Sequence, residues 1–463
     1  MKTFYLEQRG IALKVLKIKK THLLGICLLA ASFCGLSPKA NAIDLTQSYY
    51  KAIGYNPSYL SSTYQYKASQ TYKMQGLSYL LPQISLSANR SKYDFRTAPY
   101  YYANYMANTI SLNAQQYLFN LSSFAMFKEL NTKAKMGEYQ FKDADQQTIY
   151  NVAQSYFDVL SALDQINLTK MEKKAAHEDL VLAQKLYKAG EATLVDVDDA
   201  QSRYDITSAK LIQAQNKLDI ALTKFKAIVG IMPRSISPLK DDISFKFPTP
   251  SKLDDWIELA KQNSPVIKYY EQNVNYYKQD LTKAIGDQLP SVALIASYTY
   301  TNTNSYIQTE TIKYASIGIQ INVPIFNGGN SIARIDEAHY RVKQAQMDKE
   351  NYQNNITSSV TEAFLNVSSD ISKIDSLRIA KKAAQTALKA NYMGLKAGIK
   401  TIADVINAQK QLYDVENQLL NAKYSYITDM FKLKYYSGVL SKDDIDFFNT
   451  YLAPSSELIV SNN

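Results

Sequence analysis

Lys188-Ala189-Gly190-x-x-Thr193-x-x-Asp196-Val197-x-x-Ala200-Gln201 returns 208 residues later as Lys396-Ala397-Gly398-x-x-Thr401-x-x-Asp404-Val405-x-x-Ala408-Gln409, with eight of 14 positions identical. The same step carries Pro57 to Pro265, Leu81-Pro82 to Leu289-Pro290 and Gly230 to Gly438. A step of 207 carries Phe119-Asn120 to Phe326-Asn327. A spacing kept this constant along the chain means one unit written twice.

Each copy repeats the same order of signals. Asn56-Pro57 and Ser264-Pro265 read as an N-cap plus first-turn proline, opening helices predicted to run to about Gly76 and Gly286. Leu-Pro then stops the helix, and a β-hairpin follows at about 83–118 and about 291–325. Met106, Ile110, Leu112 and Ala114 alternate with Thr109, Ser111, Asn113 and Gln115. In the second copy Ala315, Ile317, Ile319, Ile321 and Val323 alternate with Ser316, Gly318, Gln320 and Asn322, and Val292 to Tyr300 keep the same period. One apolar face and one small, neutral polar face suit a membrane strand that lines a wet lumen. A half-buried soluble sheet has the same period.

Each hairpin is followed by a long helix without proline, about 121–188 and 331–396. At 1.5 Å per residue such a helix is roughly 100 Å long, too long for one compact domain. The return helices, 193–229 and 401–437, carry heptads: Val197, Tyr204, Leu211, Leu218 and Phe225, with Ala200, Thr207, Ala214 and Ala221 between them. Sustained heptads predict coiled-coil packing. The first repeat is thus 43–230 and the second 253–440. Between them, 231–252 holds Pro233, Pro238, Pro248 and Pro250 and reads as a strap across the helices. The tail, 441–463, reads as a short helix with a loose polar end.

Composition narrows the function. The 463 residues hold 52 Lys+Arg against 42 Asp+Glu, a net charge of +10, and 46% are hydrophobic. Residues 1–42 alone carry seven basic groups against Glu7, so little of the basic excess is left for nucleic acid. That segment has a basic start, an apolar run from Leu23 to Leu36 and Ala40-Asn41-Ala42, the pattern of a cleaved secretory signal. Both cysteines, Cys27 and Cys34, lie inside it, which leaves the mature chain no disulfide and no thiolate. No later run is long and apolar enough for a membrane helix, so any membrane crossing must be made by strands. Tyrosine is abundant, with 37 Tyr beside 16 Phe and 1 Trp.

Two hairpins supply four strands. Four strands cannot close, and an open edge in lipid leaves backbone groups unpaired at several kcal/mol each. Eight would enclose only side chains; twelve, from three copies, is the first simple multiple with a passage.

These features together resemble the TolC family of outer-membrane efflux proteins. The carriers are the duplication, Leu-Pro before each first strand, Pro324-Ile325-Phe326-Asn327-Gly328-Gly329 after the last strand, and the repeated Lys-Ala-Gly motif. The likeness runs from Ile43 to Asp443. It implies a mixed α and β fold: a homotrimer with a 12-stranded β-barrel in outer-membrane lipid, continued by a periplasmic α-barrel of coiled-coil helices. It also implies two protein partners, a periplasmic adaptor (membrane fusion) protein and an inner-membrane pump of the ABC, RND or MFS type. No cofactor and no metal are implied. Drugs or proteins pass through passively.

The repeated motif has a plain structural reading: Gly190 and Gly398 end helices, while Thr193 and Thr401 cap the next ones, with Asp196 and Asp404 in the acidic third position. The resemblance adds an aperture. By position Asp404 matches the first acidic ring at the inner mouth. Asn407 stands where a second is often Asp, which implies a weaker cation trap. Asp196 and Lys400 match the acidic and basic halves of a latch between the two tips, with Lys in place of the more usual Arg. Leu395 replaces a latch tyrosine, so that link is expected to be missing. Asp198 and Asp199 either add negative potential at the mouth or form a solvated helix face. Two other classes were weighed: a periplasmic coiled-coil scaffold with a soluble sheet, and an enzyme. His177 and His339 make no metal-binding pattern, and no HExxH, nucleophile elbow or Walker loop occurs.

Overall fold

The computed structural model describes residues 42–97, 101–240, 242–304, 309–453 and 458–459. The predicted signal segment, residues 1–41, lies outside them. In chain order the first repeat comprises α1 (Leu45–Tyr55), α2 (Pro57–Gln70), α3 (Tyr72–Ser78), β1 (Gln83–Thr97), β2 (Tyr101–Phe119), α4 (Leu121–Lys188) and α5 (Leu194–Val229). After β3 (Ser235–Ile236) come α6 (Leu253–Asn263), α7 (Pro265–Gly286), β4 (Ser291–Asn304), β5 (Thr309–Asn322), α8 (Asn330–Lys396) and α9 (Ile402–Tyr436). The chain finishes with α10 (Lys442–Asn449) and β6 (Leu458–Ile459).

Caps set the helix starts. The Asn56 side chain accepts from Ser58 N at 2.9 Å, and Asn120 accepts from Ser123 N at 3.0 Å to start α4. The first helix after Asn56 does not run unbroken to Gly76: Thr71 divides α2 from α3, its N–H bonding Ala68 O at 3.1 Å and its hydroxyl the same oxygen at 2.7 Å. A side-chain hydroxyl competing for a helical carbonyl tightens the turn there.

The helices pack as two hairpins, α4 with α5 and α8 with α9. On α5 the small residues Ala200, Thr207, Ala214 and Ala221 are buried and let the backbones approach closely, and toward its end Leu218, Leu222, Phe225 and Val229 join them. The main core lies at mid-length, where Tyr156, Phe157, Phe225, Phe431 and Phe448 are almost fully buried. Gly230 and Gly438 end the return helices at φ +87° and +70°. Each abuts the entry to its own repeat's proline helix. A Cβ on Gly438 would stand 2.6 Å from Ser264 N, and one on Gly230 would stand 2.4 Å from the Tyr55 ring.

The strap is clasped by both ends of the chain. Ile43 bridges Ile236, β3 pairs with β6, and Leu239 bridges Leu452. The Tyr156 hydroxyl sits 3.0 Å from Ser237 O and 3.2 Å from Ile43 O, fixing the clasp to α4. Within the tail, α10 and the 458–459 pair are ordered elements, the latter on the strap.

The four long strands form one antiparallel sheet in the order β1-β2-β4-β5. β1 and β5 are its edges, and among the described residues neither has an outer partner. Among the described residues no helix packs on either face. One face carries Ile84, Leu86, Ile110, Leu112, Leu294, Ile317, Ile319 and Ile321, all exposed, Leu86 at 72% and Ile317 at 76%. Register places them in successive apolar levels, from Phe119/Val292/Ile321 to Ala88/Ile110/Tyr300. Four two-residue steps span about 27 Å along a strand, or roughly 20 Å at a barrel-like tilt. The opposite face is polar. There Ser111 meets Thr299 at 3.3 Å, Thr109 meets Thr301 at 3.4 Å, and Ser297 meets Ser316 at 2.8 Å.

Candidate functional site at the helix-hairpin tips

Both tips are built alike. α4 ends at Gly190, φ +79°, and α5 begins with a reciprocal capping box. In it Asp196 N donates to Thr193 Oγ1 at 3.2 Å, and Thr193 N donates to Asp196 Oδ2 at 2.8 Å. At the second tip Gly398 has φ +73°, Thr401 N donates to Asp404 Oδ2 at 3.0 Å, and Asp404 N donates to Thr401 Oγ1 at 3.2 Å. The bonds from the Thr401 N–H and hydroxyl, with help from the Lys400 ammonium, hold the Asp404 carboxyl below its ordinary pKa. Asp404 is therefore a carboxylate at any physiological pH.

The two tips meet in a small apolar cluster: Leu180 and Ala183 of α4, Ala200 of α5, Ile402 and Ile406 of α9. Leu395 packs on this cluster, so the position expected to lack a latch hydroxyl serves as packing instead. Beside the cluster a cleft of about 440 Å³ opens between α5 and α9, lined by Asp196, Asp199, Arg203, Asn407 and Lys410 among others. Asn407 and Asp199 are exposed on its rim, and Asp198 is exposed on the next position of α5. At its side buried Glu172 of α4 accepts from Arg203 at 3.2 Å and pairs with Lys210 at 3.3 Å.

Within one chain the expected link between Asp196 and Lys400 is not made. The Asp196 carboxylate is occupied by Thr193, and Lys400 Nζ lies 3.7 Å from Asp404 Oδ1. The cause is local. Lys400 N bonds Gly394 O at 3.2 Å, and the lysine stem lies on the bare Gly394, where a Cβ would meet Lys400 Cγ at 2.6 Å. This directs the ammonium toward the first turn of its own helix.

A set of contacts that the sequence reading missed uses three of the 37 tyrosines. Along α4, Asp143 accepts from Tyr435 at 3.1 Å, Asp164 from Tyr424 at 2.6 Å, and Asp179 from Tyr392 at 3.1 Å. Burial pushes the Asp143 and Asp179 carboxyls up, and each tyrosine bond pulls its partner back. The donors come from α8 and α9, so these rungs tie the second repeat to the long helix of the first. Acidic residues on α4 at positions 143, 164 and 179 opposite a tyrosine-rich second repeat were the available signal. His177 and His339 are exposed, beside Tyr204 and Tyr340. Among the described residues no cluster of His, Cys, Asp and Glu is disposed to hold a metal ion.

Comparison with known proteins places this architecture. The chain is 26% identical over 426 residues to the alkaline protease secretion protein AprF of Pseudomonas aeruginosa, covering 89% of this chain and 88% of that one. It is 26% identical over 439 residues to the outer membrane protein TolC of Escherichia coli, covering 92% and 88%. The crystal structure of VceC from Vibrio cholerae superposes with a TM-score of 0.75 at 18% identity, over 85% of this chain and 96% of that one. The outer membrane efflux protein family matches twice, at residues 48–231 and 256–439, and the second match begins 208 residues after the first, the step seen in the sequence. The chain belongs to the outer membrane efflux protein family.

Proposed function

We propose that three copies of this chain close into one hollow cylinder that spans the outer membrane and continues into the periplasm as a passive exit duct. The observation that carries this reading is the uncovered sheet: two free edges, an apolar face with nothing on it, and a polar face of small hydroxyls and amides. In water such a sheet exposes a greasy surface; in lipid its edges cost several kcal/mol for each unpaired group. Edge-to-edge closure of three copies removes both difficulties and turns the polar face toward a wet lumen. The scaffold alternative gives the apolar face nothing to pack on. The protein is a channel and not an enzyme.

In the cylinder the six tips converge on one axis. Asp404 then forms a ring of three carboxylates, with Asn407 one turn further on adding no charge. A link from Lys400 to Asp196 is made in exchange for the Lys400–Asp404 pair seen here. The tips are the end at which a periplasmic adaptor and an inner-membrane pump of the ABC, RND or MFS type engage the duct. The relatives are named both for protease secretion and for efflux, so the pump selects the cargo.

The test is direct. Detergent-extracted mature protein should migrate as a trimer unless heated and should add discrete conductance steps to a planar bilayer. A water-soluble monomer without conductance would refute the duct.

A further inference from the structure

On the two edge strands the outward row turns from apolar to basic at the end remote from the helices, Lys313 of β5 one register step before Arg90 of β1. Moving away from the helices, β1 presents Ile84, Leu86 and Ala88, then Arg90 and Lys92. β5, read in the same direction, presents Ile321, Ile319, Ile317 and Ala315, then Lys313. The two central strands carry no charge there. Register sets Ala88, Ile110, Tyr300 and Lys313 side by side, and Arg90 beside Asn108, Asn302 and Thr311. The three cations thus run from the last apolar level, which Lys313 shares, through Arg90 to Lys92 two steps beyond it, at the end remote from the long helices.

Arg90 Nη2 lies 3.1 Å from Met106 Sδ, and Lys313 Nζ lies 5.7 Å from the centre of the Tyr300 ring. Of the acidic groups nearby, Asp94 shares the outward row one step past Lys92. Glu310 is paired in register with Thr303, on the inward row. When β5 of one copy meets β1 of the next, each seam gathers Arg90, Lys92 and Lys313 against Asp94. The positive excess sits on the lipid-facing side at headgroup height. Guanidinium and ammonium groups clustered there match a phosphate, with arginine binding in two-pronged fashion.

We propose that each of the three seams binds a phosphorylated glycolipid of the outer leaflet, its phosphate held by Arg90 and Lys92 of one copy and Lys313 of the next. The acyl chains lie along Leu86, Ile317 and Ile319, so the lipid staples the seam. This rests on the closed three-copy cylinder. A competing role for edge-strand cations is to block unwanted edge pairing before assembly, and that role needs no phosphate.

Purified trimer in neutral detergent is titrated with diphosphorylated lipid A, with the same lipid after dephosphorylation, and with phosphatidylglycerol. Bound lipid is counted by native mass spectrometry, and the trimer dissociation temperature is read on gels. The phosphorylated glycolipid should bind at three sites and raise the dissociation temperature by several degrees. The dephosphorylated form and phosphatidylglycerol should bind at least tenfold more weakly. The R90Q/K92Q/K313Q protein, and K313Q alone as a milder variant, should remain trimeric and lose that preference. Equal effects of all three lipids, or an unchanged preference in the variants, would overturn the glycolipid site. A wild-type protein that is monomeric in membranes would overturn the cylinder with it, and the gel distinguishes the two failures.

Discussion

Replacing Asp370 by Asn should stabilise the protein at neutral pH and flatten its response to acid. Asp370 on α8 faces Asp429 on α9, and Asp370 Oδ2 is buried without a donor. Burial, and then the Asp429 carboxylate, push the Asp370 pKa from 3.8 up to about 6, with Lys373 opposing. Asp429 is itself raised by burial, with Lys432 opposing and Glu362 adding to the rise. Two ionised carboxylates accept only, so the pair is satisfied when one proton is shared between them. A rise from 3.8 to about 6 is worth about 3 kcal/mol at the limit. Asp370 is partly exposed, and solvent screening leaves roughly 1–1.5 kcal/mol per chain. Because the folded pKa stands above the unfolded one, protonation favours the fold. The gain is complete below about pH 4 and is lost as pH rises through about 6. Asn keeps the shape and supplies the missing donor at every pH. At pH 7.5 the D370N midpoint of thermal unfolding should exceed wild type by roughly 2 °C, as expected for a long chain. The gap should be about halved by pH 5 and close near pH 4. Parallel curves for the two proteins across this range would refute the shared-proton account.

Asp404→Asn removes the ring charge but leaves an acceptor for Thr401 N, so α9 stays capped. The reversal potential of the reconstituted channel in a salt gradient should shift toward non-selectivity, with cation preference reduced roughly twofold or more. An unchanged potential would place selectivity elsewhere; Asp404→Ala is the poorer test, because it also breaks the capping box. Gly438→Ala forces a methyl against the Ser264 backbone at positive φ and should cost about 2–4 kcal/mol. Gly190→Ala, with equally positive φ but open space, should cost only about 1–2 kcal/mol. Equal losses in chemical denaturation would show that the close approach at Gly438 is not a constraint.

How much of this was legible depends on the range over which each rule acts. Period-two strands, capping boxes, positive-φ glycines and the heptad rows of α5 and α9 are set within a few residues, and the sequence displays them plainly. The duplication supplied the longer order by pairing positions 208 apart. The clasp of β6 on β3 and the Tyr–Asp rungs were hidden, because their partners lie far apart in sequence and obey no fixed spacing. The tightened turn at Thr71 has neither glycine nor proline to announce it. At the tips the capping roles of Thr193 and Thr401 followed from spacing alone. The partner of Lys400 did not, since the bare Gly394 beneath its stem decides where the ammonium points.

The clasp of strap and chain ends on Tyr156 has a mechanical consequence. From Tyr156 to the tip at Lys188, α4 is a lever arm of about 50 Å. The broad aromatic core lies at its fulcrum, whereas the apolar cluster at its far end is the small one of Leu180, Ala183, Ala200, Ile402 and Ile406. A pivot of about 5° at the fulcrum sweeps the free end through about 4 Å along that length. In the proposed cylinder each of three copies would bring such arms to the mouth, so its radius would change by about that sweep while the girdle around the waist barely moves, and the stiffest part of the molecule and its most responsive part would be opposite ends of the same helix.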